Sequence, residues 1–419
     1  MKRAGTIIVG TGQAGFQTAA SLRAEGYLEP ITLIGEEPHI PYQRPPLSKG
    51  FLLGNQDADS IELRPAAFYS DHQIMLLAGE RVRSIARGRR LVEIESGGQL
   101  SYESLVLATG ASNRALPVGG AELEGVLYLR SFAEAILIKE HLESAQSVVV
   151  IGGGFIGLEL AAVASQLGKN VTVVEALPRL MSRVVAPIIS EFFREYHTSK
   201  GVRILCGKTV TQILNQAGKV RGVHLADGEE IPADLVLIGI GIIPNTELAA
   251  AAGLPVANGI CVNEFLLTPD LGIFAIGDCA EYPNTFAGCR VRLESVQNAA
   301  DQAQCVATAI AGRPAPYKAL PWFWTDQFDI KLQMAGISAG HDRVVMRGRA
   351  DARKFSVFYF RGEKLIAIDS INRPVDHMMG RKLIAAGAHV TPELAADENS
   401  DLKKLALGSE LAPQTNPAS

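Results

Sequence analysis

Two glycine fingerprints on one chain constrain it more than any other feature. The first, Gly10-Thr11-Gly12-Gln13-Ala14-Gly15, is entered directly from the β-like run 6–9. The second, Gly152-Gly153-Gly154-Phe155-Ile156-Gly157, is entered from the run 148–151. Each reads GxGxxG between a strand and a helix. Its glycines permit a tight turn and close approach of a pyrophosphate, and the helix N-terminus supplies amide donors and the positive end of the dipole. Each is also followed by an acid at the end of the next strand, Glu36 after residues 31–34 and Glu175 after 171–174. That spacing fits a ribose-binding carboxylate about 20 residues on. A single such motif is a weak signal, because glycine turns between strand and helix also serve packing alone. Two of them, each with its strand, helix and acid, argue for two dinucleotides held at once, with a flavin and a nicotinamide as the economical pair. The alternative is a degenerate, empty second site.

Composition agrees with a multidomain enzyme. At 419 residues, 47% of them apolar, the chain suggests about three domains with ample cores. A net charge of −4 gives no global basic field, so a nucleic-acid partner is not expected. The longest apolar run, 235–243, falls far short of the roughly 18 residues of a membrane span and reads as a buried strand with the loop after it. Met1-Lys2-Arg3 starts like a signal peptide, but the apolar stretch breaks at Gly10. A cytoplasmic enzyme, monomeric or weakly dimeric, is the expectation.

The cysteines matter for what they omit. Cys206, Cys261, Cys279, Cys289 and Cys305 contain no CxxC or CxxxxC pair, so reduction of disulfides through a dithiol of the chain's own is not expected. The eight histidines show no metal-ligand spacing. Electrons should therefore leave from the flavin itself.

Alternating strands and helices up to about residue 310 imply parallel sheets with crossover helices. A helix over 13–25 closes before Gly26, and one over 157–167 closes before Gly168. The β-rich stretches 82–107 and 202–243 follow the two fingerprints in parallel fashion, which points to two related nucleotide domains. After Pro314-Ala315-Pro316 the pattern changes to strand-like runs at 329–335 and 354–360, then a helical segment at 376–386. That is a third domain of α+β type, with 408–419 as a polar, disordered tail.

With these motifs in hand, the chain resembles the FAD-dependent NADH:ferredoxin reductases of bacterial monooxygenase systems over nearly its whole length. It is similar in outline to the reductase components of Rieske-type dioxygenases and to the apoptosis-inducing factors. The matching stretches are residues 8–12, Arg44-Pro45-Pro46-Leu47-Ser48-Lys49, Leu107-Ala108-Thr109-Gly110, 151–159, 239–245, Gly277-Asp278-Cys279-Ala280 and Pro321-Trp322-Phe323-Trp324. The Pro-Pro-Leu-Ser-Lys and Pro-Trp-Phe-Trp elements narrow the resemblance to ferredoxin reductases.

The resemblance implies a glutathione-reductase-like α/β fold of two Rossmann-like dinucleotide-binding domains plus a C-terminal α+β domain. FAD would occupy a discontinuous domain, 1–112 with 248–316, and NADH the inserted domain 113–247, before a C-terminal domain at 317–407. Gly10, Gly12, Ala14 and Gly15 would approach the FAD pyrophosphate and Glu36 the adenosine ribose. Arg44, Lys49, Val82, Thr109, Gly110, Arg130, Gly277, Asp278, Val296 and Trp324 would complete the FAD site. Without the family, Val82 is equally a good strand residue and Arg130 a surface charge. Gly152, Gly154, Phe155, Ile156, Gly157, Glu175 and Arg183 would hold the coenzyme. Phe155 either shields the flavin until nicotinamide displaces it or simply packs helix on sheet.

The implied activity moves electrons from NADH through FAD, one at a time, to a two-iron ferredoxin that supplies a haem monooxygenase. A rubredoxin or a dioxygenase ferredoxin is the alternative acceptor. A pyridine-nucleotide disulfide reductase would need a redox cysteine that the first 205 residues lack. A redox-dependent signalling protein is the reading from another class. Glu175 implies NADH over NADPH by repelling a 2′-phosphate, although Arg179 and Arg183 lie just downstream. Lys49 and Glu159 are expected to pair at the hydride-accepting edge. An acidic ferredoxin would be met by a local basic patch drawn from Arg64, Lys331, Arg381, Lys382, Lys403 and Lys404.

Overall fold

Short β-branched runs such as 6–9 and 148–151 are apolar throughout, as a strand covered on both faces must be, and each feeds a glycine turn and a helix. A computed structural model describes residues 4–410. The chain forms two compact units: residues up to Arg114 with Gly241–Ala319, and Ala115–Ile240 with the chain from Leu320 onward.

The first unit is built on a mostly parallel sheet. Its strands run in the order Ile74–Ala78, Ile31–Gly35, Gly5–Val9 and Gln99–Leu107, and Ile273–Ala275 joins the far side of the last. Ile8 sits opposite Leu33 on one neighbour and Val106 on the other, and all three are fully buried. Val82–Ala86 and Leu91–Ile94 extend the sheet as an antiparallel flap. Helices Gln13–Ala24 and Val296–Ile310 pack against each other. The return from the insertion comes at Gly241, earlier than the expected 248. Ile242–Pro244 already pairs antiparallel with Ala111–Asn113, and the Asn245 amide donates to the Gly110 carbonyl at 3.0 Å.

The second unit repeats the scheme with a parallel sheet in the order Arg203–Cys206, Asn170–Glu175, Ser147–Ile151, Leu235–Ile238 and Val126–Tyr128. A three-stranded antiparallel sheet, Val210–Gln216, Lys219–Leu225 and Glu230–Pro232, lies beside it. The fingerprint helix begins at Phe155, two positions before the expected Gly157, with Gly154 in the extended N-cap conformation.

The strand-rich end forms the expected α+β region and packs within this same compact unit. Its five antiparallel strands run in the order Trp322–Gln327, Ile330–Gly336, Lys364–Ile371, Lys354–Arg361 and Arg343–Arg349. Period-two alternation gives the sheet two unlike faces. One face sends Phe323, Thr325, Gln327, Phe355 and Tyr359 to helices Phe155–Gln166 and Pro187–Ser199 and the segment before the latter. The other is covered by helix Pro374–Ala386, where Gly380 lets the helix approach Ile368. That shared inner face joins the regions. A last helix, Leu402–Glu410, takes in the first residues of the expected tail, and 411–419 lie outside the described residues.

Candidate functional site: two dinucleotide cradles

The first cradle is shaped by glycine geometry. Gly10 takes φ 115°, and a Cβ there would collide with the Ala108 carbonyl of the neighbouring strand turn. A Cβ on Gly15 would strike the Gly10 carbonyl oxygen. Gly12 is the N-cap of helix Gln13–Ala24, whose first turn carries no acid, so its free amides are open to an anion. Ala14 is buried where a Cβ on Gly277 would crowd it at 3.1 Å; Gly277 has φ 73°, and its amide donates to Gln302 Oε1 at 2.7 Å. Asp278 follows, half-buried, with its carbonyl accepting from Arg292 at 3.1 Å.

Around this core the other expected residues of the first unit find places. Glu36 is exposed, 3.9 Å from Arg81. Lys49 donates from Nζ to the Pro45 carbonyl at 3.3 Å. Val82 is buried at the start of its strand. Val296 begins a helix capped by the Ser295 hydroxyl. Thr109 and Asn245 exchange two hydrogen bonds, Thr109 Oγ1 to the Asn245 carbonyl at 2.6 Å and Asn245 Nδ2 to the Thr109 carbonyl at 2.9 Å. They tie the turn before Gly110 to the returning chain. Sequence reasoning passed over Glu37, which accepts from Tyr42 at 2.5 Å and from Arg44 at 2.7 Å and so fixes the arginine. A Glu–Tyr–Arg cluster spread over eight positions is a signal that the Arg44-Pro45-Pro46 motif could have prompted.

The second cradle repeats the geometry. Gly152 takes φ 109° against the Gly239 carbonyl, and a Cβ on Gly157 would collide with the Gly152 carbonyl. Gly154 is the N-cap, again before a first turn without an acid. The acid behaves differently here. Glu175 Oε2 accepts from the Gly153 amide at 2.6 Å and Oε1 from the Leu177 amide at 2.7 Å. Arg179 does not reach for a phosphate: its guanidinium donates to the Ser182 and Val185 carbonyls and to Ser190 Oγ, each at 2.7 Å. Arg183 is exposed. Phe155 packs on Phe323 with ring centroids 4.9 Å apart, and Ile156 is exposed beside it. Arg130 lies beside a capping box, its amide and that of Ser131 both bonded to Glu134.

Glu159, one turn into the same helix, is buried and accepts from Thr325 Oγ1 at 2.5 Å. It belongs to the second unit and Lys49 to the first. On the outer face of the C-terminal sheet, Trp322 and Trp324 lie 5.6 Å apart and Arg381 stacks on Trp322 at 4.8 Å. Lys331 is 3.7 Å from Asp326, Lys382 is exposed, and exposed Lys403 and Lys404 ride on a helix packed against Pro374–Ala386. Arg64, in the first unit, is exposed over the Phe68 ring. All five cysteines are free thiols. Among the described residues no cluster of side chains has the make-up of a metal site, and no helix is long and apolar enough to cross a membrane.

Both cradles, with their clash-free glycines and open helix N-termini, fit the pyrophosphate of a dinucleotide. The model of the pyridine nucleotide-disulphide oxidoreductases matches residues 5–303, and that of the reductase C-terminal region matches 322–406. The chain belongs to the pyridine nucleotide-disulphide oxidoreductase family. The reductase is 49% identical over 397 residues to rhodocoxin reductase of Rhodococcus erythropolis, covering 95% of this chain and 93% of that one. Among solved structures it is similar to the ferredoxin reductase for the CYP199A2 system of Rhodopseudomonas palustris. The TM-score there is 0.95 at 49% identity, over 96% of this chain and all of the other. It matches the reductase in a covalent putidaredoxin reductase–putidaredoxin complex equally well, with TM-score 0.95, 41% identity, and 98% and 100% covered. The reductase is thus a ferredoxin-reductase-type oxidoreductase that uses FAD and NAD(P)H, with the two-Rossmann fold and an added C-terminal region.

Proposed function

We propose that the reductase takes electrons from NADH and delivers them singly to an acidic two-iron ferredoxin that supplies a haem monooxygenase. The observation that carries this reading is the pair of like cradles with unlike acids, on a chain whose relatives are reductases of small redox proteins. Bound flavin supplies the conversion between a two-electron hydride and single electrons. In this reading the first cradle holds FAD, with Gly10, Gly12, Ala14 and Gly15 at the pyrophosphate and the exposed Glu36 free to accept from the adenosine ribose. Arg44, held by Glu37, and Lys49, Val82, Thr109, Gly110, Arg130, Asp278, Val296 and Trp324 complete its surroundings.

The second cradle holds NADH. The Glu175 carboxylate, fixed on two backbone amides, presents negative charge where a 2′-phosphate would come, and Arg179 is committed to backbone carbonyls. Both features favour NADH over NADPH. Phe155, its ring resting against Phe323, shields the flavin until nicotinamide replaces it. Lys49 and Glu159 steady charge as the flavin is reduced. Arg381 on Trp322, with Lys331, Lys382, Lys403 and Lys404 on the same unit and Arg64 on the other, steers the ferredoxin. The reductase works in the cytoplasm as a monomer or weak dimer. NADH-dependent reduction of cytochrome c that appears only when a two-iron ferredoxin is added tests the proposal. Equal rates without ferredoxin, or with rubredoxin alone, would overturn it.

A further inference from the structure

The segment between Glu175 and helix Pro187–Ser199 lies directly against the second cradle. Gly153, the middle glycine, is gripped from both ends: its amide by Glu175 at 2.6 Å, its carbonyl by the Met181 amide at 2.9 Å. Leu180 lies so close that a Cβ on Gly153 would stand 2.6 Å from its side chain. Within the segment, Arg179 binds the Ser182 and Val185 carbonyls, and Ser190 Oγ donates to the Leu180 carbonyl at 2.6 Å. The segment is therefore a stiff unit that moves Gly153 if it moves.

Its far end is the N-terminus of helix Pro187–Ser199, where the N-cap is Ala186, a residue with no side chain to cap. The missing cap comes from another part of the chain. The Ala186 amide donates to Tyr359 Oη at 3.0 Å, and that hydroxyl spends its one proton on the Asp369 carboxylate. Both side chains are buried on the inner face of the C-terminal sheet, Tyr359 at 0% and Asp369 at 3% exposure. A phenol that donates to a carboxylate becomes a better acceptor for the amide.

We propose that Tyr359 and Asp369 are positioning residues of the coenzyme site: they cap helix Pro187–Ser199 from the C-terminal sheet and so hold the 177–186 segment, with Gly153, ready for the adenosine end of NADH. The inference rests on the reading of the second cradle as the coenzyme site. It also gives the C-terminal region a part in coenzyme binding, beyond any contact with a redox partner.

Burial raises the Asp369 carboxyl to about 7, with the Tyr359 hydrogen bond opposing that rise, and so makes the cap sensitive to pH. The charged and titratable groups around it are few. Tyr359 faces it from the neighbouring strand, with Arg179 beyond the phenol on the 177–186 segment and the His341 ring 5.1 Å from Tyr359. On the same sheet face, Glu159 is engaged by Thr325 and His197 by Gln327. The strand partners of Asp369 are the apolar Met334 and Val357. As pH falls through about 7 the carboxyl takes up its proton, the phenol loses its charged acceptor and the cap weakens.

The test is steady-state kinetics of the FAD-loaded enzyme with ferricyanide as acceptor, on Tyr359→Phe, Asp369→Asn and Glu175→Ala. Tyr359→Phe keeps the ring and removes the cap. It should raise KM for NADH roughly fivefold, the size set by one helix cap, with kcat within about twofold of wild type. For the wild type, KM should rise as pH falls from 8 to 6, and Asp369→Asn should flatten that profile at its acid-side value. An unchanged KM in Tyr359→Phe, or a wild-type pH profile in Asp369→Asn, overturns the proposal. Should Tyr359→Phe fail to retain FAD, the Asp369→Asn profile alone decides. If Glu175→Ala also leaves KM for NADH untouched, the coenzyme reading of the second cradle fails instead.

Discussion

The two cradles are built alike and end differently. Gly10 and Gly152 take nearly the same φ, 115° and 109°, and Gly15 and Gly157 each leave room for the carbonyl of the glycine five residues earlier. The acids diverge. Glu36 stands exposed, near Arg81 only at 3.9 Å, whereas Glu175 is locked onto the Gly153 and Leu177 amides. The residue in the middle of each turn goes with this. Thr11 in the first cradle fills space over Gly35, where a Cβ would collide with it, so the strand end stays small and the acid comes one residue later. Gly153 in the second leaves its amide open to the acid at the strand end itself. A permanently held cofactor and a coenzyme that must come and go make different demands. Under the proposed assignment the second site pre-positions its carboxylate on the protein, so that less ordering is left to each binding event.

The largest expected effects come from closing one cradle at a time. Gly157→Val puts side-chain bulk where the Gly152 carbonyl lies, and should lower kcat/KM for NADH by at least about a hundredfold while the purified protein stays yellow. Gly15→Val should do the reverse and give protein without flavin. The visible absorption spectrum separates them, and loss of flavin in both would break the assignment of one dinucleotide to each cradle.

Exchanging the acids sharpens the contrast. Glu175→Ala removes both the clamp and the negative charge, and should cut the preference for NADH over NADPH by roughly tenfold, about 1.4 kcal/mol. Glu36→Ala should leave that ratio alone and speed FAD loss on dilution, followed by flavin fluorescence. A changed coenzyme ratio in Glu36→Ala would mean that the roles are reversed.

Smaller effects belong to the outer face of the second unit. Arg381→Glu breaks the stack on Trp322 and reverses a charge, so KM for ferredoxin should rise about three- to tenfold at low salt and less at high salt. Ferricyanide turnover should not change. Equal damage with both acceptors would place Arg381 in packing rather than docking.

The inner face of the same sheet should announce itself in stability against pH. Burial lowers His197 to about 4, so the folded state binds fewer protons than the unfolded state between pH 4 and 6.5, and this group adds stability as pH rises. Asp369, raised to about 7, works the other way and takes stability away as pH rises from about 4 to 7. Asp369→Asn should therefore be more stable at pH 8 than wild type relative to pH 5, by about 2–4 kcal/mol in urea unfolding. A parallel pH dependence in both proteins would contradict the buried, proton-binding state of Asp369.

Much of this was legible in the sequence where backbone geometry dictates residue type. A turn with φ near 110° calls for glycine, and an all-apolar run before it calls for a covered strand, so both cradles and their parallel sheets could be read directly. The Arg44–Lys49 and Trp322–Trp324 motifs could be read only through resemblance, since neither proline nor tryptophan spacing states a ligand. Side-chain pairings between distant segments left no trace in local pattern. Asn245 on Thr109, Glu159 on Thr325 and Tyr359 on Ala186 link positions more than 130 residues apart, and an Ala N-cap gives no hint that a tyrosine elsewhere completes it. How these regions pack on one another was hidden for the same reason. The return at Gly241 and the union of the C-terminal sheet with the second cradle are set by strand pairing and by packing across the sheet's inner face, which period-two alternation alone does not assign to a partner.

The central claim is that the two cradles hold an electron relay, coenzyme at the second and flavin at the first, emptied one electron at a time into a ferredoxin. Anaerobic stopped-flow spectroscopy tests it most directly. The FAD-loaded protein is mixed with one equivalent of NADH, and then with an oxidised two-iron ferredoxin. The relay predicts that flavin absorbance bleaches on the first mixing and returns on the second, with two ferredoxins reduced for each NADH consumed. Flavin that bleaches but is not reoxidised by the ferredoxin, or that fails to bleach with NADH at all, would contradict it.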